Sequence, residues 1–384
     1  MITIKVPGKL MIAGEWAVLE GDKPSIVMAV DKYVECSVED ANHSSIKVPG
    51  MDELPFVYEK TKVRFRRILT SGEKEKLLFA KNTIEIFLKF MEENANPINT
   101  FRLVTKNHDT TIKVGDMAAE NRNPNVYTEK KLGFGSSGAI CVAIGTAILE
   151  FYDYDTKDPK IKDILFKLSA ISHFISQDMM GSCADVASSV YGGVLYYKAF
   201  SSLWLKNELK TNISLLDLLE GDWTYLKIRP IKLPKNMKIL CCWTSKSSNT
   251  RTMMEQMDDF KAQEYEEFKR LMDEIELAVD SVVDAIELGN IEEIMMMLFR
   301  NHSMLMELDR SSGIGMLTRE LEILIGIAVQ NGCVGKISGA GGGDSGIAVC
   351  FDDEKSEIIK KAWKEAGLYP IELNIDHDGF KVDK

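Results

Sequence analysis

Between Leu132 and Gly138 the chain reads Leu-Gly-Phe-Gly-Ser-Ser-Gly, which places Gly133, Gly135 and Gly138 in a GxGxxG string around Phe134, Ser136 and Ser137. Glycines let a backbone come close to a ligand, and the orphan N–H groups of a helix start point at an anion with the helix dipole behind them. Such a turn suits phosphate groups. Of the two hydroxyls at the helix entry, Ser136 and Ser137, one is expected to cap the helix and the other to ligate Mg²⁺. The bare string also fits a protein kinase or a dinucleotide-dependent oxidoreductase. A dinucleotide turn needs a buried parallel strand just before it, whereas residues 125–131 are polar, and no GxxxxGK[ST] occurs.

A second glycine run, Gly339-Ala340-Gly341-Gly342-Gly343-Asp344-Ser345-Gly346, lies near the C-terminus. Each glycine costs backbone entropy on folding, so the run reads as a loop that brings its backbone against a ligand. Lys9 and Glu15 follow the break Pro7-Gly8, and Asp185 ends Gly181-Ser182-Cys183-Ala184-Asp185. A lysine at a strand end is usually solvated and an aspartate in a loop is usually a cap, so these three gain meaning only from their order along the chain. Lys246, Ser247, Ser248, Asn249, Arg251 and Lys336 could hold a second phosphate, and a solvated polar loop explains the cluster at 246–251 equally well.

A net charge of −11 opposes non-specific binding to nucleic acid, which needs a cationic surface, so an anionic substrate must be held by a local cluster. The seven cysteines form no CxxC pair and read as reduced thiols of a cytoplasmic protein. Ile2, Ile4 and Val6 alternate with polar residues as an opening strand, without the apolar run of an export signal. The longest apolar run, Ile140 to Leu149, is about half of the ~20 residues that cross a bilayer, so no membrane partner is expected.

The elements that must position these residues follow from periodicity. At 384 residues the chain should form two domains, here 1–222 and 223–384, with Pro230 and Pro234 punctuating the loosened stretch between them. Helices are expected near 73–94, after the Gly/Ser turn, at 161–176, through 268–286 up to Gly289, twice more before Val334, and at 355–366. Strands are expected at 26–30, 34–38, 101–105, 239–243, 347–351 and 369–375. The methionines at 295–297, 304 and 306 read as adaptable core filling. Strands interleaved with helices give an α+β sandwich.

The order Lys-Leu-Met-Ile-Ala-Gly-Glu at 9–15, Gly-Phe-Gly-Ser-Ser-Gly at 133–138, Gly-Ser-Cys-Ala-Asp at 181–185 and the glycine run at 339–346 resembles the GHMP kinase superfamily across the whole chain. Asp344 and Trp16 are similar to the bacterial phosphomevalonate kinases; mevalonate kinases, the nearest alternative, usually carry glycine and histidine there. The resemblance implies an N-terminal left-handed βαβ domain, a ferredoxin-like C-terminal domain and an active site between them. It implies ATP with Mg²⁺, phosphomevalonate as acceptor, and a monomer or homodimer. Gly133 to Gly138 would bind the nucleotide phosphates, Ser137 the metal, and Lys9 with Asp185 would form the catalytic pair. Lys9, Glu15, Trp16, Ser182, Arg251, Ser338, Ala340, Gly341, Gly342 and Asp344 would surround the acceptor. Mevalonate kinases place a metal-binding glutamate eleven residues before the aspartate, where this chain has Phe174, and Asp178 is the nearby acid.

Overall fold

The computed structural model describes residues 1–107, 111–115, 127–211, 213–246 and 250–384; Ser247, Ser248 and Asn249 lie outside them. The first of two large sheets has nine strands. Its path runs Lys227–Ile231, Val194–Lys198, β2 (Pro24–Asp40), Phe101–Lys106, Ser45–Lys47, Leu54–Glu59 and Lys62–Phe65, with β1 (Ile2–Ala13) on β2 and Lys381–Asp383 on β1. Ser45–Lys47 and Phe101–Lys106 run parallel and the other neighbours antiparallel.

β1 does not end at Pro7-Gly8 as the sequence suggested. It continues through an irregularity in which β2 inserts Asp31 and Lys32 between the partners of Pro7 and Gly8, which are Tyr33 and Val30. Before this point Ile4 and Val6 enter the core under the helices; after it Met11 enters that core while Leu10 and Ile12 enter the opposite one. The alternation of β1 changes parity across this irregularity. One consequence is that Lys9, sharing Met11's parity, lies on the helical face of the sheet. β2 obeys the same change, with Val34, Cys36 and Val38 on one core and Ile26, Met28 and Val30 on the other. Both strands are thus buried on two faces.

Four helices cover the first face. α1 (Ser71–Glu93) opens with a capping box between Thr70 and Glu73, and α3 (Pro159–Ser176) with an Asp158 cap ahead of Pro159. Between them α2 (Ser136–Phe151) is buried along most of its length against the sheet and its neighbours. α4 (Ala184–Tyr191) was not foreseen; it puts Asp185 in a helical first turn instead of a loop. Also unforeseen were the helices Ser202–Lys210, Leu215–Glu220 and Thr250–Gln263.

The second sheet runs Val334–Ser338, Ser345–Cys350, Lys238–Trp243, Tyr369–Ile371, all antiparallel. In chain order this is 2-3-1-4, the ferredoxin-like arrangement, with the long helices Tyr265–Leu288, Ile291–Ser312 and Arg319–Gln330 between its first two strands. Gly289 closes the first of these in the left-handed conformation, as expected. The strand expected at 369–375 stops at Ile371. Met297 is buried and Met295, Met304 and Met306 pack on the core, but Met296 is 53% exposed. Beyond the expected division at 222/223, Lys227–Ile231 and Lys381–Asp383 still hydrogen-bond into the first sheet, so that sheet draws on both sides of it. All seven cysteines are buried free thiols, and no helix among the described residues is long and apolar enough to cross a membrane.

α2 can sit this close to α1 because a Cβ at Gly145 would fall on the ring of Phe87. Gly145→Ala should therefore lower the urea midpoint, since an overpacking cost of about 1–3 kcal/mol exceeds the helix-propensity gain of about 0.5–1 kcal/mol. Adding Phe87→Leu should restore it; an alanine variant as stable as the parent would contradict this packing.

Candidate active site

The expected phosphate turn is a real loop-to-helix junction. Gly135 sits at φ 68°, ψ 35° as the N-cap of α2, and no side chain caps this helix, so neither Ser136 nor Ser137 plays the capping part assigned to one of them. The first amides of α2 have no partner within the helix and remain available to an anion. Phe134 serves differently from its neighbours: its ring is fully buried in the second core, and its carbonyl accepts the Lys9 backbone N–H at 2.8 Å. Gly8 makes room for that bond, because a Cβ there would stand 2.7 Å from the Phe134 oxygen. The preceding polar segment is a strand after all, Tyr127–Lys131, yet it pairs antiparallel with Thr111–Gly115 in a separate two-stranded ribbon and not in a parallel sheet. This removes the architecture a dinucleotide turn requires.

β1, α2 and α4 converge here. A Cβ on Gly135 would lie 2.8 Å from the Asp185 Cβ and 2.9 Å from the Lys9 Cγ, and one on Gly138 would lie 2.6 Å from the Asp185 carboxyl carbon. The glycines at these two positions are what allow the aspartate and the lysine to rest directly on the turn. Lys9 and Asp185, 176 positions apart in the sequence, are thereby brought together. The Asp185 Oδ1 accepts from the Val186 N–H at 3.0 Å. Burial pushes its carboxyl up, but His173, and then Lys9 and that amide, outweigh burial and hold it below the usual carboxylate range.

His173 is the residue that sequence reasoning missed. Its Nε2 lies 3.1 Å from the Ser137 Oγ and 3.3 Å from the Asp185 Oδ2, and its Nδ1 lies 3.6 Å from the Cys183 Sγ. The position assigned to a second metal ligand, Phe174, is next to it but points into the core against Phe200. Asp178 does not reach Ser137's side of the site in any bond; it pairs with Arg251 at 3.2 Å. Ser137 and Asp185 place two oxygens around one imidazole edge, and Mg²⁺ often takes only one or two protein oxygens beside phosphates and water. The donor set therefore fits that ion, although no group of three or more His, Cys, Asp or Glu placed to hold a metal ion by themselves occurs among the described residues.

A cavity of about 480 Å³ opens beside this junction, bounded by Lys9, His173 and Asp185 at one end and by Trp16, Arg251 and Ala340 elsewhere. Its size is that of a small-molecule site. The second glycine run closes over it: the Trp16 indole N–H donates to the Ala340 carbonyl at 3.2 Å, and Asp344 lies against Gly133. Gly341 and Gly343 have φ 76° and 133°, with Met316 and Lys246 carbonyls where a Cβ would go. Gly342 donates its N–H to Met316 at 2.7 Å. Trp16, Cys183 and Asp344 hold positive φ without being glycine, at 64°, 56° and 49°, so costly backbone conformations gather around the cavity.

Several of the expected contact residues are engaged in the protein itself. Ser338 donates its hydroxyl to the Met11 carbonyl at 2.8 Å, fastening the second sheet to β1. Ser182 accepts the Tyr197 hydroxyl on its carbonyl at 2.5 Å and the Ala184 N–H on its side chain at 3.4 Å. Lys336, a candidate phosphate donor, is fully buried: it forms an ion pair with Glu15 and donates to its neighbour Ile337's carbonyl at 2.7 Å, so it cannot meet a substrate phosphate. Burial, and then Lys336, push the nearby His302 down to about 4, so this imidazole is neutral near neutral pH. Lys246 pairs with Glu320 at 2.7 Å.

Comparison with known proteins agrees with this architecture. The sequence model of the GHMP kinases N terminal domain matches residues 99–193, and that of the GHMP kinases C terminal matches residues 282–368. The chain thus carries N- and C-terminal domains of the GHMP kinase type and is an ATP-dependent kinase. Among curated relatives, the phosphomevalonate kinase of Streptomyces sp. (strain CL190) is 25% identical, covering 96% of this chain and 95% of its own length. That of Saccharolobus solfataricus is 26% identical, covering 100% and 99%. The solved structure of Streptococcus pneumoniae phosphomevalonate kinase in complex with phosphomevalonate and AMPPNP superimposes with a TM-score of 0.79 at 23% identity, covering 98% of this chain and all of that one.

The Glu15–Lys336 pair joins the two sheets across 321 residues of sequence. Lys336→Met should cost about 3–5 kcal/mol in urea unfolding, because it strands a buried carboxylate, and Glu15→Gln in the same chain should recover most of the loss. A lone Lys336→Met as stable as the parent would show that the pair does not matter.

Proposed function

We propose that this protein transfers the terminal phosphoryl group of ATP to phosphomevalonate, giving ADP and diphosphomevalonate in the mevalonate route to isoprenoids. The observation that carries the reading is the convergence of an uncapped helix N-terminus, Lys9 and Asp185 at one end of a cavity whose lining also includes the exposed cation Arg251. The full-length likeness to two phosphomevalonate kinases supports the acceptor. We take the protein to act in the cytoplasm as a monomer or homodimer on these two small molecules, away from membranes and nucleic acid.

In this reading the amides of Gly133 to Gly138 receive the nucleotide phosphates. Ser137, with the Asp185 carboxylate beside it, would hold Mg²⁺, which when bound neutralises charge on the nucleotide phosphates. Lys9 faces the group in flight and offsets the charge that two polyanions bring together. A phosphate monoester, with a second pKa near ~6, presents an ionised oxygen at neutral pH. Its attack on the terminal phosphorus forms the new P–O bond while the bond to the ADP oxygen breaks, and no strong base is required. An Asp185 carboxyl held below its usual range suits this acceptor better than an alcohol, whose proton needs a base titrating nearer neutrality. Trp16 and the loop 339–344 wall the acceptor off from water. Arg251, now paired with Asp178 and Glu255, is the cation placed to exchange a carboxylate for the acceptor's own phosphate.

Phosphorus NMR of the products, with phosphomevalonate and mevalonate supplied separately, tests the acceptor: a new diphosphate resonance is expected from the first, and phosphorylation of mevalonate alone would refute the assignment. Within the mechanism, Lys9→Ala should lower kcat by about 10²–10³-fold, at least as far as Asp185→Asn. Steady-state rates showing a dead aspartate variant beside a nearly normal lysine variant would contradict this division of labour.

A further inference from the structure

We propose that His173 is a positioning residue that locks the Asp185 carboxylate and the Ser137 hydroxyl into one arrangement by donating its Nε2–H between them, with the ring held from behind by Cys183. The inference rests on the kinase reading above and adds to it a residue that neither the motifs nor the comparisons single out.

The geometry leaves little freedom. His173 is 2% exposed and occupies the last turns of α3, where Phe79 packs against its ring at a centroid distance of 5.4 Å. One ring nitrogen, Nε2, lies within 3.3 Å of both the Asp185 Oδ2 and the Ser137 Oγ. An ionised carboxylate can only accept, so the proton in this contact belongs to Nε2. The other nitrogen, Nδ1, faces the Cys183 thiol at 3.6 Å. This thiol can donate to Nδ1 or to the Ala170 carbonyl, also 3.6 Å away. Cys183 is itself fixed in a left-handed backbone conformation as the N-cap of α4, one residue before the helix that carries Asp185.

The Asp185 carboxylate is therefore tied at both oxygens, Oδ1 by the Val186 amide and Oδ2 by His173, and each oxygen keeps a further lone pair for substrate or ion. Ser137, on the first turn of α2, is tied to the same imidazole. α2, α3 and α4 thus meet at a single ring. Asp185 also packs directly on Gly135 and Gly138, but among the described residues no other side chain of α3 bonds to both groups, so the imidazole is what ties the Ser137 hydroxyl and the aspartate to one another. A core histidine with no such part would fill the same space without caring which atom carries the proton.

Two measurements separate these possibilities. In the intact wild-type protein, nitrogen-15 spectra of its histidines, with the His173 resonance assigned by its loss in His173→Gln, should show a proton on Nε2; a ring bearing its only proton on Nδ1 overturns the proposal whatever the substrate proves to be. In steady-state kinetics with phosphomevalonate, His173→Leu should lower kcat by about 100-fold, the scale of a displaced reacting group, with KM for both substrates nearly unchanged. His173→Gln, whose amide N–H can stand in for Nε2–H, should recover at least about tenfold of that loss. Equal rates for the leucine and glutamine variants, or losses that follow melting temperature, overturn it. Failure of the wild-type enzyme to use phosphomevalonate would instead refute the acceptor assignment and leave the nitrogen-15 result standing.

Discussion

The structure depends most on the contact between β1 and the phosphate turn: the Lys9 amide bonded to the Phe134 carbonyl, with Gly8 leaving the space and Phe134 anchored in the second core. This bond fixes the turn to a strand buried on both faces, so the turn inherits the rigidity of the whole sheet. At the irregularity in the β1–β2 ladder just before it, the alternation of β1 changes parity and Lys9 comes to the helical face. Without that change Lys9 would share the face of Thr3 and Lys5, away from α2 and α4. A local irregularity at Pro7-Gly8 is thus the reason a lysine within β1 meets the anion site.

The second sheet acts mainly by closing that site. Its fastenings to the first sheet are polar and specific: Ser338 on Met11, Trp16 on Ala340, Lys336 on Glu15. Each holds a segment next to the cavity, and the strained backbone at Trp16, Cys183 and Asp344 is affordable only because such contacts over-determine it. The Glu15–Lys336 pair is dry and therefore a weak source of net stability, but it orients a carboxylate that lines the cavity.

Much of this was legible in the sequence, and the reasons are particular. The long helix at 71–93, the glycine-capped helix ending at Leu288 and both glycine loops were readable because periodicity and glycine spacing are local signals. The strand Tyr127–Lys131 was not, because a polar strand in a two-stranded ribbon lacks an apolar pattern. Lys336 misled because a lysine reads as exposed until its buried partner, 321 positions away, is known. His173 was invisible for the same reason: its partners Ser137 and Asp185 come from α2 and α4, and no motif spacing links them. Its position one residue before Phe174, where an acid was sought, was the one available hint. Ser338 and Ser182 were assigned to substrate because a hydroxyl beside a glycine run or a motif aspartate does not announce that it is bonded to the backbone.

The central claim is that glycine at 138 is needed so that the Asp185 carboxylate can rest on the helix start, where a Cβ would come within 2.6 Å of it. The direct measurement is kcat of Gly138→Ala alongside its melting temperature. The account predicts a loss of about 10²-fold or more in kcat, with melting nearly unchanged, since a displacement of ~1 Å at a reacting group is enough. Activity within a few-fold of the parent would contradict it.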